Sequence, residues 1–115
     1  MLGPELLSLK EERFQLQKKL GLLSQKHTLK LLYELNKEPT YMKALSESTG
    51  IPYTTVQKRV REMADANLVQ IMDQVDEFTG KAIKKVRVNR FQIQVDMSTI
   101  NQIMEGKSIH LLFPE

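Results

Sequence analysis

One stretch constrains this chain more than any other: Tyr41 to Val69, which reads YMKALSESTGIPYTTVQKRVREMADANLV. A short helix carrying Leu45 inward is predicted to stop at Gly50, since glycine enters the left-handed region at a helix end without steric penalty. Ile51 and Pro52 make a tight turn, and a second helix is expected from about Tyr53 to Ala66. On it Val56, Val60 and Met63 fall at i, i+4 and i+7, one buried stripe. Between them Tyr53, Thr54, Thr55, Gln57, Lys58 and Arg61 form a polar and basic face with no acid among them.

Two short helices joined by a glycine-containing turn are the ingredients of a helix-turn-helix, whose second helix lies in the major groove of DNA. A bare two-helix corner with a solvated basic face would look the same, so the segment that follows carries weight. Val69 and Ile71 alternate with Gln70 and Met72. Asp76 to Ala82, centred on Thr79-Gly80, has turn chemistry, and Lys85 to Asn89 alternates valines with polar residues. The expected product is a β-hairpin, with Lys81, Lys84, Lys85, Arg87 and Arg90 giving Phe78–Arg90 positive charge and no acid. Phe91, Ile93 and Val95 alternate out of phase with Val86 and Val88, which requires a bulge, a bend or a new element near Asn89-Arg90, and a bend is expected.

With the hairpin in place the chain resembles the winged helix-turn-helix regulators of ArsR- and MarR-like type, especially small archaeal members. Thr49-Gly50-Ile51 at the turn, Thr55-Val56 on the second helix and Asn67-Leu68-Val69 leaving it carry the resemblance, which covers roughly residues 24–103. It implies a mainly α fold with a small β-hairpin (α+β), and a homodimer. The metal sensing of ArsR regulators does not carry over, because the chain has no Cys. No pocket for a MarR-like small-molecule effector can be read from the sequence.

The remaining segments fit around this centre. Pro4 opens a helix expected to run to about Leu20 and stop at Gly21, with leucines at 6, 9, 16, 20 and 23. It either packs on its own domain or dimerises, and the resemblance favours the second. A further helix is expected from Ser24, as N-cap, to Asn36, with Leu29, Leu32 and Leu35 inward and Leu31 and Tyr33 widening the stripe. Thr40 is expected to cap the next helix, with a brief strand near Tyr41 or Met42. A closing helix capped by Asp96 or Ser98 is predicted to end at Gly106, and the apolar 108–114 segment to pack on the domain or on a second subunit. The expected division is an N-terminal helix at 1–23, a winged helix-turn-helix domain at 24–95 and a C-terminal helix and tail at 96–115.

Composition narrows the function. At 115 residues, with 41% hydrophobic and 27% charged residues, the chain suits one ordinary globular domain. The absence of Cys removes disulfides, thiolate metal sites and thiol nucleophiles, and His27 and His110 lack the partners a zinc site needs. No phosphate-cradling glycine loop and no Ser/His/Asp arrangement is present, so no catalytic residue, metal or cofactor is expected. Glu11, Glu12 and Arg13 interrupt any N-terminal apolar core and no run is long enough for a membrane span, so a cytoplasmic protein is expected.

The net charge of +3 is modest, but it concentrates on the second helix and hairpin, the footprint of a phosphate-facing surface. Recognition-helix candidates for DNA are Tyr53, Thr54, Thr55, Gln57, Lys58 and Arg61; wing candidates are Thr79, Gly80, Lys81, Lys84, Lys85 and Arg87. Arg59 is a weaker phosphate candidate because it borders the buried stripe. The expected partners are double-stranded DNA and a second copy of the chain. Two alternatives stand beside sequence-specific regulation: a winged-helix protein-interaction module in a transcription or replication complex, and a weakly specific architectural DNA binder.

Overall fold

The computed structural model describes residues 4–112, with side chains over 12–105. Its elements run α1 (Pro4–Leu23), α2 (Thr28–Lys37), β1 (Thr40–Tyr41), α3 (Met42–Thr49), α4 (Tyr53–Asp65), β2 (Val69–Val75), β3 (Ala82–Val88) and α5 (Met97–Leu112). The strands form an antiparallel sheet in the order β1-β3-β2. The result is α+β: a winged helix-turn-helix from α2 to β3, with an extra helix on either side. The chain divides into two compact units, residues 18–91 and a second made of 1–17 with 92–115. Among the described residues no helix is long and apolar enough to cross a membrane.

Within 18–91, the core joins Leu31 and Leu35 of α2, Leu45 of α3, Val56, Val60 and Met63 of α4, Leu68, and Val86 of β3, all essentially inaccessible. The α4 stripe is therefore as the sequence predicts. The α2 stripe is so only in part, since Leu31, Leu32 and Leu35 are buried as expected. Leu29 and Tyr33 are 64% and 65% exposed, and the buried positions are Thr28, Leu31, Leu32 and Leu35. A threonine holding one core position disguised the true i, i+3, i+4, i+7 face. Leu29 and Tyr33 instead line an open groove of about 540 Å³ with Leu32, Val88, Arg90 and Phe91.

The start of α2 also departs from expectation. Helix α1 runs through Gly21 to Leu23, since φ at Gly21 is not positive and the left-handed stop falls later. Ser24 closes α1 rather than capping α2: its hydroxyl donates to the Gly21 carbonyl at 2.8 Å. The chain reverses at His27, in the left-handed region with φ 76°, and α2 begins at Thr28. Nor does Thr40 cap α3. It lies in β1 opposite Val86, and Tyr41 takes the N-cap position without a side-chain bond.

Regular pairing ends at Val88, and residues 89–96 run on without helix or strand, so the broken alternation marks the end of the sheet. In the other unit, α5 passes through Gly106 to Leu112, against the predicted stop. Asp96 caps it as expected, accepting the Thr99 N–H at 2.9 Å and the Thr99 hydroxyl at 3.1 Å; Ser98 lies inside the helix. The expected packing of the 108–114 segment lies outside the described side chains.

Two predictions follow from local chemistry. The Thr28 hydroxyl is buried without a hydrogen-bond partner. Thr28→Val, which keeps the shape, is expected to stabilise the fold by about 1 kcal/mol in urea denaturation, and an equal loss would show that the hydroxyl is satisfied. The Thr99 N–H, then its hydroxyl, hold the Asp96 carboxyl below its ordinary value. A lowered carboxylate pKa gives stabilisation that is present above the ordinary value, about pH 4, and lost as pH falls through the lowered one. Protection of the Thr99 and Ile100 amides from hydrogen exchange should therefore fall below about pH 4, and Asp96→Asn should flatten that dependence.

Candidate nucleic-acid interface

The candidate surface begins at the corner between α3 and α4. Gly50 takes φ 74° and its N–H bonds the Ser46 carbonyl at 2.9 Å, ending α3. The Thr49 hydroxyl donates to the Leu45 carbonyl at 2.7 Å and accepts the Ile51 N–H at 3.3 Å. Ser46 Oγ donates to the Ile51 carbonyl at 2.6 Å, and Lys30 Nζ of α2 reaches the Thr49 carbonyl at 2.9 Å. The backbone groups that a sharp turn strands are thus taken up by side chains. Pro52 then occupies the N-cap of α4, where a missing N–H does no harm. No side chain caps α4, so the N–H groups of its first turn face outward without an internal acceptor.

This corner fixes which side of α4 is presented. Tyr53, Thr54, Lys58 and Arg61 are exposed, and Thr55 and Gln57 are half-buried. Thr54, Lys58 and Arg61 fall at i, i+4 and i+7, one outward line with Gln57 beside it. The line is not basic throughout: exposed Asp65 continues it at the C-terminal end. The outward positive charge is therefore that of Lys58 and Arg61, in the middle of α4, with Tyr53 and Thr54 exposed on its first turn.

Arg59 lies apart from this line. Its guanidinium bonds Gln25 in the link between α1 and α2, and pairs with Glu62 at 3.3 Å, with only 14% of the side chain exposed. It ties α4 to the body of the domain. Together with Ser46, Thr49 and Lys30, Arg59 is part of the framework that sequence reasoning missed, because polar residues bonded to backbone or to distant loops leave no periodic signal.

The strand register sorts the hairpin. On one face Val69 pairs with Val88, Ile71 with Val86, Asp73 with Lys84 and Val75 with Ala82; on the other Gln70 pairs with Arg87, Met72 with Lys85 and Gln74 with Ile83. Lys84 and Lys85 therefore point to opposite faces. Lys85 is half-buried with its ammonium 5.7 Å from the Tyr41 ring centroid, and Arg87 bonds Gln70. Arg87 also stands about 17 Å below the closing pair, five steps at ~3.4 Å each, so it belongs to the base of the hairpin and not to the tip that carries Lys81.

The tip itself is built from hydrogen bonds. Asp76 Oδ1 accepts the Phe78 N–H at 2.8 Å, the Gly80 N–H reaches the Asp76 carbonyl at 2.8 Å, and Thr79 Oγ1 accepts the Lys81 N–H at 3.3 Å. Gly80 holds φ 70°. Thr79 and Gly80 thus shape the turn, while Lys81 and Lys84 stand exposed. The acid-free run along the sequence is not acid-free in space: Asp73 lies across from Lys84, and Asp76 and Glu77 precede the tip. Among the described residues no group of His, Cys, Asp or Glu is arranged to hold a metal ion.

Among solved structures, the chain is similar to a possible transcriptional regulator from Methanosarcina mazei Go1. The TM-score is 0.52 and the identity 18%, over 81% of this chain and 75% of that one. At this identity the likeness shows the fold alone. No protein-family model matches the chain, and neither does any curated protein.

Arg59 separates stability from binding. Arg59→Ala removes both of its bonds, and Glu62, whose Oε1 is already buried without a partner, loses the guanidinium donor to its Oε2. A loss of about 1–3 kcal/mol in urea denaturation is expected, with the salt dependence of any DNA binding unchanged. A shallower salt slope in the still-folded variant would make Arg59 a phosphate contact instead.

Proposed function

We propose that the protein is a homodimeric, sequence-specific transcription regulator of double-stranded DNA, working in the cytoplasm and of the ArsR- and MarR-like type. Helix α4 enters the major groove, and the hairpin lies on the backbone or in the adjacent minor groove. The observation that carries this reading is the division of α4. Val56, Val60 and Met63 are wholly buried, while Thr54, Gln57, Lys58 and Arg61 turn outward on a helix fixed by a bonded corner. A face for an apolar protein partner would show apolar side chains along this line instead, and among the exposed large apolar residues α4 contributes Tyr53 alone. The likeness in fold to a possible transcriptional regulator agrees with this reading.

The side chains suit separate tasks. Gln57 has the paired donor and acceptor that adenine offers in the major groove, and Lys58 and Arg61 suit guanine or a phosphate. Thr54 and Thr55 suit a base edge or a thymine methyl, and Tyr53 a phosphate beside the free N–H groups of the first turn. Lys81, Lys84, Lys85 and Arg87 supply counterion release along the hairpin. Two copies would read half-sites about one helical turn apart, roughly 34–36 Å.

The test is binding of labelled duplexes over a salt series, beside selection from a randomised pool. Wild type should bind with a steep salt slope and enrich a palindrome. Lys58→Ala should reduce that slope by about 0.9 per lost contact, so nearly 2 for a dimer. Gln57→Ala should change the enriched sequence more than the overall affinity. Steep salt dependence with no enriched motif would instead indicate an architectural binder, and no binding at low salt would end the DNA reading.

A further inference from the structure

Two features of the 18–91 unit serve neither its core nor the α4 face. The first is Phe78, which is 97% exposed at the crown of the hydrogen-bonded turn. Nothing in the fold requires a phenyl ring in water there, and the turn that displays it is held by its own hydrogen bonds. The second is the open groove of about 540 Å³ lined by Leu29, Leu32, Tyr33, Val88 and Phe91, with Arg90 on its border. Its volume exceeds that of a phenyl ring several times over. Of its apolar members, Leu29 and Tyr33 are mostly exposed and Phe91 is 38% exposed.

The charges beside these features are opposite. Glu77 adjoins Phe78 and is exposed, and Arg90 is exposed at the groove; neither has a hydrogen-bond or ion-pair partner among the described residues. A hairpin cannot fold its tip back onto its own base. Six residues of β3 separate Ala82 from Val88, a span of about 20 Å at ~3.3 Å per residue. The ring can therefore reach such a groove only in another molecule.

We infer that Phe78 of one copy seats in the Leu29–Tyr33–Phe91 groove of a second copy, with Glu77 meeting Arg90 at the rim. A reciprocal pair fills both grooves and closes, which a two-fold axis permits and an open head-to-tail chain does not. The inference rests on the homodimer of the proposed function and names its contact. Helix α4 contributes no residue to the groove, so a second copy seated there leaves the α4 face to DNA. A buried aromatic ring in a pocket is the usual dominant contact of a small interface, and rim charges set partner and register.

The chain has no tryptophan, so Phe78→Trp makes a single reporter of the tip. In sedimentation velocity without DNA, wild type should pass from monomer to dimer as concentration rises. The Phe78→Trp emission should shift to the blue over the same range. Phe78→Ala should weaken association at least about tenfold. At a concentration where wild type is monomeric, thermal melting should be unchanged, because Phe78 is exposed in the single chain. Glu77→Arg and Arg90→Glu should each weaken association several-fold, and the double variant should restore it.

A wild type that stays monomeric overturns both this contact and the homodimer, while leaving DNA binding to be judged by its own titration. A dimer indifferent to Phe78→Ala, or a tryptophan that stays solvent-exposed, overturns this contact alone. Failure of the double variant to recover overturns the Glu77–Arg90 pairing.

Discussion

The corner at Thr49–Pro52 is the constraint on which the rest depends. A two-helix motif presents a defined face only if the second helix is fixed in rotation as well as in position, and here both are fixed together. The left-handed Gly50 redirects the chain within one residue, and Thr49 and Ser46 satisfy the backbone groups around it. Leu45 and Ile51 on either side of the turn are buried with Val56, so the apolar contacts that fold the corner also set the rotation of α4. A shift of one residue in α4 would turn its face by about 100°. That would carry Gln57 and Arg61, or Thr55 and Arg59, toward the core, at the cost of burying polar groups. The outward line of α4 is thus a consequence of core packing.

What could be read in advance follows from where the physical signal resides. The α4 stripe, the Gly50 stop and the hairpin were legible because each rests on a periodicity or a backbone preference local to the chain. The rotation of α2 was not, because Thr28 occupies a buried position that pattern reasoning assigns to a leucine, leaving the Leu29 series to look equally good. Gly21 misled for a related reason: a glycine permits a helix stop but does not impose one, and the reversal came at His27, where a non-glycine residue is held at φ 76°. The candidate residues on α4 were legible together with their face. Those on the hairpin were legible only as a list. Their distribution over two faces, and the acids that confront them, depend on a register that no single strand specifies.

That register also marks where folding ends and display begins. On the core face of the hairpin, burial is complete at Val86, and the next pair outward, Asp73 with Lys84, is exposed. Everything from there to the tip extends about 13 Å beyond the last core residue, four steps at ~3.3 Å. It contributes little apolar burial to the domain, yet it is ordered by ladder pairing and by the Asp76 and Thr79 bonds of the turn. A projection held stiffly at so little benefit to the core is suited to contact with something outside the domain. Its near balance of charge, Asp73, Asp76 and Glu77 against Lys81, Lys84 and Lys85, separates it from α4, whose early face carries cations alone. The two displayed surfaces therefore differ in chemistry as well as in place. In the proposed reading the outward cations of α4 face DNA, and an apolar cavity edged with positive charge complements the tip.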